Sequence, residues 1–223
     1  MKTISKYIAP RLLGLGEIIA MRVRKKIYKR VIEIIQPNED MNVLDIGVTC
    51  DRSLDSNFFE FLYPFKEKIT AVGLEDASYL ENEYPGLKFQ IADACNLPFN
   101  ANQFDLAFCS AVIEHVGSIS FQEKLIAEST RVAKQVVITT PNRYFPIEFH
   151  TLTPFIHWLD PKIFRFFLRI TYRNYFAKEK NLNLLSSKDL ESILVKRNLS
   201  YIKSNQKILG MESNLVYIIN KKS

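Results

Sequence analysis

The stretch Met41-Asn42-Val43-Leu44-Asp45-Ile46-Gly47-Val48-Thr49-Cys50-Asp51 decides how the rest of this chain folds. Its apolar run from Val43 to Ile46 predicts a strand that is buried on both faces of a sheet. Gly47 ends the run where Asp45 has just placed a carboxylate near the strand's C-terminal end. In an open α/β sheet, ligands bind outside the C-terminal ends of the strands. The stretch therefore predicts a strand that leads into a ligand site, with an ordinary buried strand and turn glycine as the simpler alternative.

Further apolar runs follow at the spacing of strand–helix units, after a helical stretch from Asn57 to Phe65. Strands that alternate with helices in this way predict a parallel sheet built from βαβ units. The third strand alternates apolar and polar residues, which predicts a position at the edge of the sheet. The runs, most of which end in an acid or a small residue, are Ile69–Asp76, Leu87–Ala94, Phe104–Ser110 and Val136–Thr140.

Taken in order, these motifs resemble the class I S-adenosylmethionine-dependent methyltransferases, in particular the broad small-molecule group called type 11. The resemblance covers residues 40 to 140 well and the rest of the chain more loosely. It implies a Rossmann-like α/β fold, with a seven-stranded, mostly parallel sheet, helices on both faces and a paired antiparallel ending. The matching residues are Val43–Gly47, Glu75, Asp93-Ala94, Phe104-Asp105 and Ala111–Val116.

The resemblance also implies S-adenosylmethionine as the cofactor and assigns residues to it. Glu75, at the end of the second strand, would bind the ribose diol, although Asp76 beside it could exchange roles with it. Asp93, near the end of the third strand, would accept the adenine amino group. The other implied contacts are an apolar wall at the adenine, residues facing the methionine end, and a residue beneath the sulfonium. The cofactor-binding residues implied in this way are Asp45, Gly47, Glu75, Asp93, Ala94 and Ser110.

The loop after the first strand departs from the family's pattern. The family usually continues this strand as G-x-G-x-G, which lets the backbone approach a ligand closely. Here Gly47 is followed by Val48 and Thr49, whose β-branched side chains tolerate a positive φ poorly. We therefore expect a wider or more extended loop, in which the side chains of Thr49, Asp51 or Ser53 replace backbone contacts to the cofactor. A fold that has lost the cofactor is the alternative.

Methyl transfer to a hydroxyl also requires a base for the departing proton. Glu148 and His150 lie two residues apart on an extended segment, so their side chains project to the same side. A carboxylate beside an imidazole can orient it and raise its basicity, which makes His150 the candidate base and Glu148 its partner. His115 is the second candidate, and either histidine could instead serve a structural hydrogen bond. No metal-binding cluster of acids is apparent, so the sequence predicts no metal.

Composition divides the chain into segments. Residues 1–36 predict an N-terminal helical extension with one apolar stripe and an opposite basic face. Residues 37–223 form the predicted methyltransferase domain, in which residues 141–185 are crowded with aromatic side chains and predict a cap inserted over the active-site end. The apolar stripe of the extension consists of Ile19, Val23, Ile27, Val31, Ile34 and Ile35.

Basic residues recur within the predicted cap. Lys162, Arg165, Arg169 and Arg173 follow one another at helical spacing, which predicts one basic helical face with aromatic residues around the remainder. This segment is either a cap helix that buries its aromatic side chains or a surface that contacts an anionic membrane or a lipid-linked substrate.

Overall composition sets further bounds. The 223 residues have 47% hydrophobic content, a net charge of +6 and no run of 18 apolar residues. Cys50, Cys95 and Cys109 show no C-x-x-C spacing, which fits a reducing cytoplasm and argues against a structural zinc site or a disulfide framework. The basic excess is compatible with peripheral contact at the inner face of a membrane.

The leading hypothesis is a methyltransferase that acts at an oxygen of a small-molecule, glycan or lipid-linked acceptor. A nicotinamide-dependent reductase is disfavoured because the first turn lacks G-x-G-x-x-G. A non-catalytic binding or membrane-associated protein that kept the fold is the alternative. Nucleic acid is disfavoured as acceptor, since the fourth strand is followed by Ser110-Ala111-Val112-Ile113 and not by an Asn/Asp-Pro-Pro-aromatic motif. The sequence leaves the oligomeric state open.

Overall fold

A computed structural model of the chain describes residues 15–53 and 56–221, with side chains from residue 18 onward. The described residues form one sheet, in which seven strands follow the order β3-β2-β1-β4-β5-β8-β6 and β7 pairs with β8. The strands are β1 (Val43–Ile46), β2 (Ile69–Gly73), β3 (Lys88–Ile91), β4 (Phe104–Ser110), β5 (Ala133–Pro141), β6 (Leu199–Lys203), β7 (Gln206–Ile208) and β8 (Met211–Lys221).

The sheet is mostly parallel, as predicted. β1 pairs in parallel with β2 on one side and with β4, the central strand, on the other. β3 lies at one edge, which confirms the position predicted from its alternating pattern. β8 runs antiparallel to β5, β6 and β7. The predicted Rossmann-like fold class is therefore confirmed.

The antiparallel ending contains three strands where the sequence predicts two. The backbone N–H of Ser204 donates to the carbonyl of Val216 (2.8 Å), but the N–H of Val216 donates to the side-chain oxygen of Asn205 (2.9 Å). An asparagine side chain thus takes the place of a backbone acceptor, so the ladder is interrupted between β6 and β7. The guanidinium of Arg30 donates to the carbonyls of Ser204 (3.2 Å) and Asn205 (3.0 Å) at the same place.

Helices cover both faces of the sheet. Successive side chains of a strand point to opposite faces, so Leu44 and Ile46 pack towards α4 and α6, whereas Val43 packs towards α1, α2 and α3. None of the described helices has the length and apolar character needed to cross a bilayer. The helices are α1 (Leu15–Ile35), α2 (Phe58–Leu62), α3 (Tyr79–Glu83), α4 (Ile119–Val132), α5 (Pro161–Ile170) and α6 (Ser187–Lys196).

The buried face of α1 differs from the predicted stripe at its ends. Ile27 and Val31 are buried against the sheet, as expected, but Ile19 and Ile34 are exposed. Met21, which the predicted stripe does not include, is buried as well, so the buried face of α1 is formed around Met21, Ile27 and Val31. The first fourteen residues of the predicted extension lie outside the described part of the chain.

The predicted cap carries α5 and a small core of its own. Asp160 caps the helix, because its side chain accepts a hydrogen bond from the N–H of Lys162 (2.7 Å), and Pro161 supplies the first helical residue. One face of α5 packs inward, so part of the aromatic crowding is buried as the cap hypothesis expects. The buried residues of this core are Phe164, Leu168, Phe176, Ala177 and Leu182.

The basic face predicted for the cap helix is interrupted. α5 ends at Ile170, so the prediction is wrong for Arg173, which lies in the turn beyond it. Arg165 is partly covered and its guanidinium lies 3.8 Å from a carboxylate oxygen of Glu179. The exposed basic residues of α5 are Lys162 and Arg169.

A pair of buried acids lies beneath the C-terminal end of β1. The side chain of Asp45 shares the face of Val43 and meets Glu60 of α2, whose carboxylate is fully buried. Burial raises the pKa of Asp45 to about 6, and burial together with the charge of Asp45 raises the pKa of Glu60 well above its ordinary value. Both carboxyl groups therefore hold a proton to a higher pH than an exposed acid does.

This pair predicts a specific dependence of stability on pH. Because the folded pKa of Asp45 exceeds its unfolded value, the fold retains protons that the unfolded chain releases, and the free energy of unfolding falls as pH rises from about 4 to about 6 and beyond. Glu60→Gln should flatten this fall and stabilise the protein near pH 8 by on the order of 1–3 kcal/mol. Urea unfolding over a pH series measures both effects, with the exposed Glu83→Gln as control. An unaltered pH dependence in Glu60→Gln would contradict the raised pKa of Glu60.

Candidate functional site

Several of the predicted cofactor residues lie at one edge of the sheet. β1, β2, β3 and β4 are parallel, so the residues that follow their C-terminal ends come together there. Glu75 follows β2 and is half-buried, Asp93 follows β3 and is exposed, and Ser110 ends β4. The hydroxyl of Ser110 shares a hydrogen bond with that of Thr139 (2.8 Å) on β5.

The two predicted acceptors each keep contacts with their own surroundings. The thiol of Cys50 donates to a carboxylate oxygen of Glu75 (3.2 Å), which ties the first loop to the end of β2. Asp93 accepts the N–H of Cys95 (2.8 Å) on one carboxylate oxygen, in a turn just beyond β3. Ala94 is buried in the core, and its predicted contact with the adenine stays a prediction.

Two apolar residues that sequence reasoning missed lie at this edge. Leu74 follows β2 and is 61% exposed, and Ile91 ends β3 and is 60% exposed. Large apolar side chains left open beside Glu75 and Asp93 can contact a flat ring of a ligand. Their signal in the sequence was an apolar residue at the end of a strand, where a polar loop residue is expected. Leu74 directly follows the last residue of β2, and Ile91 is the last residue of β3.

The first loop approaches its neighbours very closely. Gly47 has a φ of +102°, and a Cβ built on it would lie 2.1 Å from a methyl carbon of Val112. A Cβ on Gly73 would lie 2.1 Å from the carbonyl oxygen of Val48. The N–H groups of Gly47 (2.7 Å) and Val48 (3.1 Å) both donate to the carbonyl of Val72. Glycine is therefore required at both positions, and the loop after β1 lies directly against β2 and the segment after β4.

Asn57 holds the remainder of this loop. Its side chain accepts the N–H of Thr49 (2.9 Å) and donates to the carbonyl of Thr49 (2.8 Å). The carboxylate of Asp51 accepts hydrogen bonds from the hydroxyls of Ser53 and Ser56. In the described part of the loop, the hydroxyl of Ser53 thus donates a hydrogen bond to the carboxylate of Asp51. Contact of either side chain with a cofactor stays a prediction.

The predicted catalytic residues form one buried cluster. His115 lies on a 3-10 turn after β4, and His150 and Glu148 lie in the cap. Nδ1 of His150 is 2.8 Å from a carboxylate oxygen of Glu148, and Nε2 of His150 is 3.0 Å from Nε2 of His115. Glu148 also accepts the backbone N–H groups of His150 (2.8 Å) and Thr151 (2.6 Å). The two side chains do pair, but the extended segment predicted for them is wrong. Residues 149–151 form a turn, closed by a hydrogen bond from the N–H of Leu152 to the carbonyl of Glu148 (2.7 Å).

The charges within this cluster are set by burial and by close neighbours. Burial and the adjacent His150 lower the pKa of His115 to about 3, so it is neutral. Burial alone would raise the pKa of Glu148, but the charge of His150 and hydrogen bonds from His150 and Thr151 lower it to about 2. Burial opposes the charged form of His150, yet Glu148 and then Glu114 raise its pKa above the ordinary value. Glu148 and His150 therefore form a buried acid–imidazole pair.

Comparisons with known proteins agree with this architecture. Residues 58–137, from α2 into β5, match the family model described as a methyltransferase domain. The match begins after the glycine-poor loop that departs from the family's pattern. A search of curated proteins finds no relative that matches the chain.

Solved structures share the fold at low sequence identity. The YcgJ protein of Bacillus subtilis is 15% identical, with a TM-score of 0.59 over 89% of this chain and 100% of its own. Magnesium protoporphyrin IX methyltransferase from Synechocystis, solved with S-adenosylhomocysteine, is 10% identical, with a TM-score of 0.57 over 97% of this chain and 91% of its own. A methyltransferase from Methanosarcina mazei is 16% identical, with a TM-score of 0.52 over 85% of this chain and 96% of its own.

This chain therefore has the fold of the class I, type 11-like S-adenosylmethionine-dependent methyltransferases, which confirms the resemblance seen in its sequence.

Proposed function

We propose that the chain is an S-adenosylmethionine-dependent methyltransferase that acts at an oxygen of a small-molecule, glycan or lipid-linked acceptor. The observation that carries this proposal is a contact between two halves of one site. Val112, in the segment after β4, contacts Gly47 of the first loop and lies two residues before Glu114. The strand ends that carry Glu75 and Asp93 and the histidine cluster therefore lie on either side of this segment. One half offers acceptors for a nucleoside, and the other offers a group that can take a proton.

The residues present fit the nucleoside part of the cofactor. Glu75 offers a carboxylate to the ribose diol, Asp93 keeps one oxygen outside its turn for the adenine amino group, and Leu74 and Ile91 offer apolar surface to the ring. When bound, S-adenosylmethionine supplies a methyl group that is already activated as a sulfonium. The protein's share is then to align the acceptor, exclude water and manage its proton.

His150 is the group proposed to take that proton. An acceptor hydroxyl is a weak nucleophile until its proton is leaving, and a neutral imidazole is a suitable acceptor near neutral pH. Glu148 fixes the ring through Nδ1, which turns Nε2 towards His115 and the segment after β4. In this arrangement Glu148 is a positioning residue, and His115 can share the proton held by His150.

Glu75 provides the test of cofactor binding. Loss of a charged acceptor for two hydroxyls should weaken binding by about 1.5–3 kcal/mol, roughly tenfold to a hundredfold. We expect Glu75→Ala to show this loss in calorimetric titration with S-adenosylhomocysteine while its melting temperature stays close to that of the parent. Asp76→Ala tests the alternative in which Asp76 binds the diol, and Glu83→Ala, which removes an exposed carboxylate of α3, is the control. Equal affinity in the parent and in Glu75→Ala would refute the assignment.

His150 provides the test of acceptor activation. His150→Ala should lower turnover by about a hundredfold to ten-thousandfold, because the acceptor proton loses its destination, and leave the affinity for S-adenosylhomocysteine nearly unchanged. Transfer of label from methyl-labelled S-adenosylmethionine to lipid and glycan fractions measures this. His115→Ala, measured in parallel, shows which ring takes the proton. Normal turnover in His150→Ala would leave His150 with only a structural role in the cap.

The exposed side of α5 supports a membrane as the place where the acceptor is met. Ile163, Phe166 and Ile170 recur at helical spacing on its outward side and are exposed, with Lys162 and Arg169 among them. The segment before α5 adds further exposed apolar residues, Phe155, Trp158 and Leu159. Aromatic and aliphatic side chains interspersed with cations suit the interface of an anionic bilayer. We propose that the cap docks at the inner face of a membrane and that the protein is cytoplasmic. In this proposal the cap comprises residues 141–185 of a methyltransferase domain at residues 37–223, and an extension at residues 1–36 precedes the domain.

Vesicle binding tests this surface. Phe166→Ser should weaken binding to phosphatidylserine-containing vesicles about tenfold or more, because it removes a large apolar group from the contact. Arg169→Ala should weaken it by about 1 kcal/mol in a salt-dependent manner. The matched control is Leu209→Ser, which alters an apolar residue that is 93% exposed in the turn between β7 and β8. Two results would contradict membrane docking by α5. One is that the parent protein does not co-sediment with these vesicles at low salt, and the other is that Leu209→Ser weakens binding as much as Phe166→Ser does.

A further inference from the structure

The histidine cluster contains a third potential ligand that the proposed proton transfer does not use. Glu114 lies beside His115, and one atom each of Glu114, His115 and His150 lie within 4.8 Å of one another. Nε2 of His150 is 3.0 Å from Nε2 of His115 and 3.9 Å from Oε1 of Glu114. Two imidazole nitrogens and one carboxylate oxygen therefore converge on a single point.

The partners of the other ring nitrogens fix the tautomers. Nδ1 of His115 is 2.7 Å from the backbone carbonyl of Asn181, which can only accept a hydrogen bond, so Nδ1 carries the proton. Nδ1 of His150 faces the ionised Glu148 and carries a proton for the same reason. The two Nε2 atoms then present lone pairs to each other at 3.0 Å. Such an approach is repulsive unless a cation, either a proton or a metal ion, lies between them.

Glu114 decides between these two cations. Its Oε2 accepts the hydroxyl proton of Thr140 (2.8 Å), but its Oε1 is buried and has no hydrogen-bond partner among the described residues. A proton shared by the two histidines satisfies both Nε2 atoms and still leaves this oxygen without a partner, which is costly for a buried carboxylate. A divalent cation at the point of convergence satisfies all three atoms and balances the two carboxylates of Glu114 and Glu148.

We propose that Glu114, His115 and His150 bind a divalent transition-metal ion, with zinc as the chemical class that best fits two imidazoles and a carboxylate. Zinc–nitrogen bonds of about 2.0–2.1 Å in a tetrahedral site place two nitrogens roughly 3.3 Å apart, so the rings need to separate by only a few tenths of an ångström. Three protein ligands leave the fourth position open.

The surroundings of the three ligands match those of a metal site. Ligating histidines commonly donate their second ring proton to a carbonyl or a carboxylate, which orients the ring. Here the carbonyl of Asn181 accepts the proton of His115 and the carboxylate of Glu148 accepts that of His150. The hydroxyl of Thr140 donates to Glu114 and orients its carboxylate. The ligands belong to the turn after β4 and to the cap, so the ion would join these two segments. Binding of the ion can be tested without the proposed methyl transfer. An ion on Nε2 of His150 would occupy the lone pair proposed to take the acceptor proton, so in the ion-bound protein the open position, and not His150, would hold the acceptor oxygen. That role of the open position rests on the proposed function.

Calorimetric titration of chelator-treated protein with zinc chloride, without cofactor or acceptor, tests the site. We expect one ion per chain, with affinity lowered about a hundredfold or more in Glu114→Gln and His150→Ala. Glu148→Gln should lower it by about tenfold to a hundredfold, as loss of an orienting partner does. Cys50→Ser is the control for binding through the half-buried thiol and should leave the affinity unchanged. Cobalt(II) in place of zinc should give visible absorption of a nitrogen–oxygen site without a thiolate charge-transfer band.

Two results would overturn the site. One is the absence of binding in the parent, and the other is binding that keeps the parent's affinity in both Glu114→Gln and His150→Ala. The melting temperature of every variant shows that it is folded, and titration with S-adenosylhomocysteine separates the two proposals. Normal cofactor binding without zinc binding would refute only the metal site. Zinc binding without cofactor binding would refute only the proposed methyl transfer.

Discussion

The lack of a side chain at Gly47 is the constraint on which the arrangement of the site depends. Only glycine allows the left-handed backbone at this position and the direct contact with the methyl group of Val112. The same residue directly follows β1, so the loop next to the predicted nucleoside site and the turn that carries Glu114 and His115 meet at one point. A larger residue would separate the two halves of the site as well as strain the backbone.

Hydrogen bonds join the cap to the turn after β4. The N–H of Asn183 donates to the carbonyl of Glu114 (2.7 Å), and its side chain donates to the carbonyl of Gly117 (2.8 Å). Gln122 of α4 donates in turn to the carbonyl of Asn183 (2.8 Å). Together with the contact between His115 and His150, these bonds fix the cap to the turn after β4. The cap's own small core then leaves one side of α5 uncovered, which is the side proposed to meet lipid.

Local patterns in the sequence were sufficient for most of the fold. Apolar runs that end in Gly47 or near Glu75 locate parallel strands, and the alternation in β3 locates an edge, because both properties follow from which faces of a strand are buried. The pairing of Glu148 with His150 was predicted from alternation on an extended segment, but it arises from a turn in which the carboxylate of Glu148 accepts the N–H groups of His150 and Thr151. Each of these predictions concerns residues that are close in the chain.

Contacts between residues far apart in the chain could not be predicted in this way. His115 meets His150 across 35 positions, and no local pattern shows that their Nε2 atoms face each other. The burial of Asp45 against Glu60 depends on how α2 returns over β1, and the buried face of α1 depends on the surface it packs against. Helix ends were equally hidden, as Arg173 shows, because spacing alone does not reveal where α5 stops.

Binding of the cofactor is the claim from which the rest of the functional account follows. Calorimetric titration of the purified parent protein with S-adenosylhomocysteine and, separately, with NADPH tests it most directly, because the competing reductase and binding-protein hypotheses predict different ligands. The account predicts one molecule of S-adenosylhomocysteine bound per chain and no binding of NADPH. Binding of NADPH, or of neither compound, would contradict it.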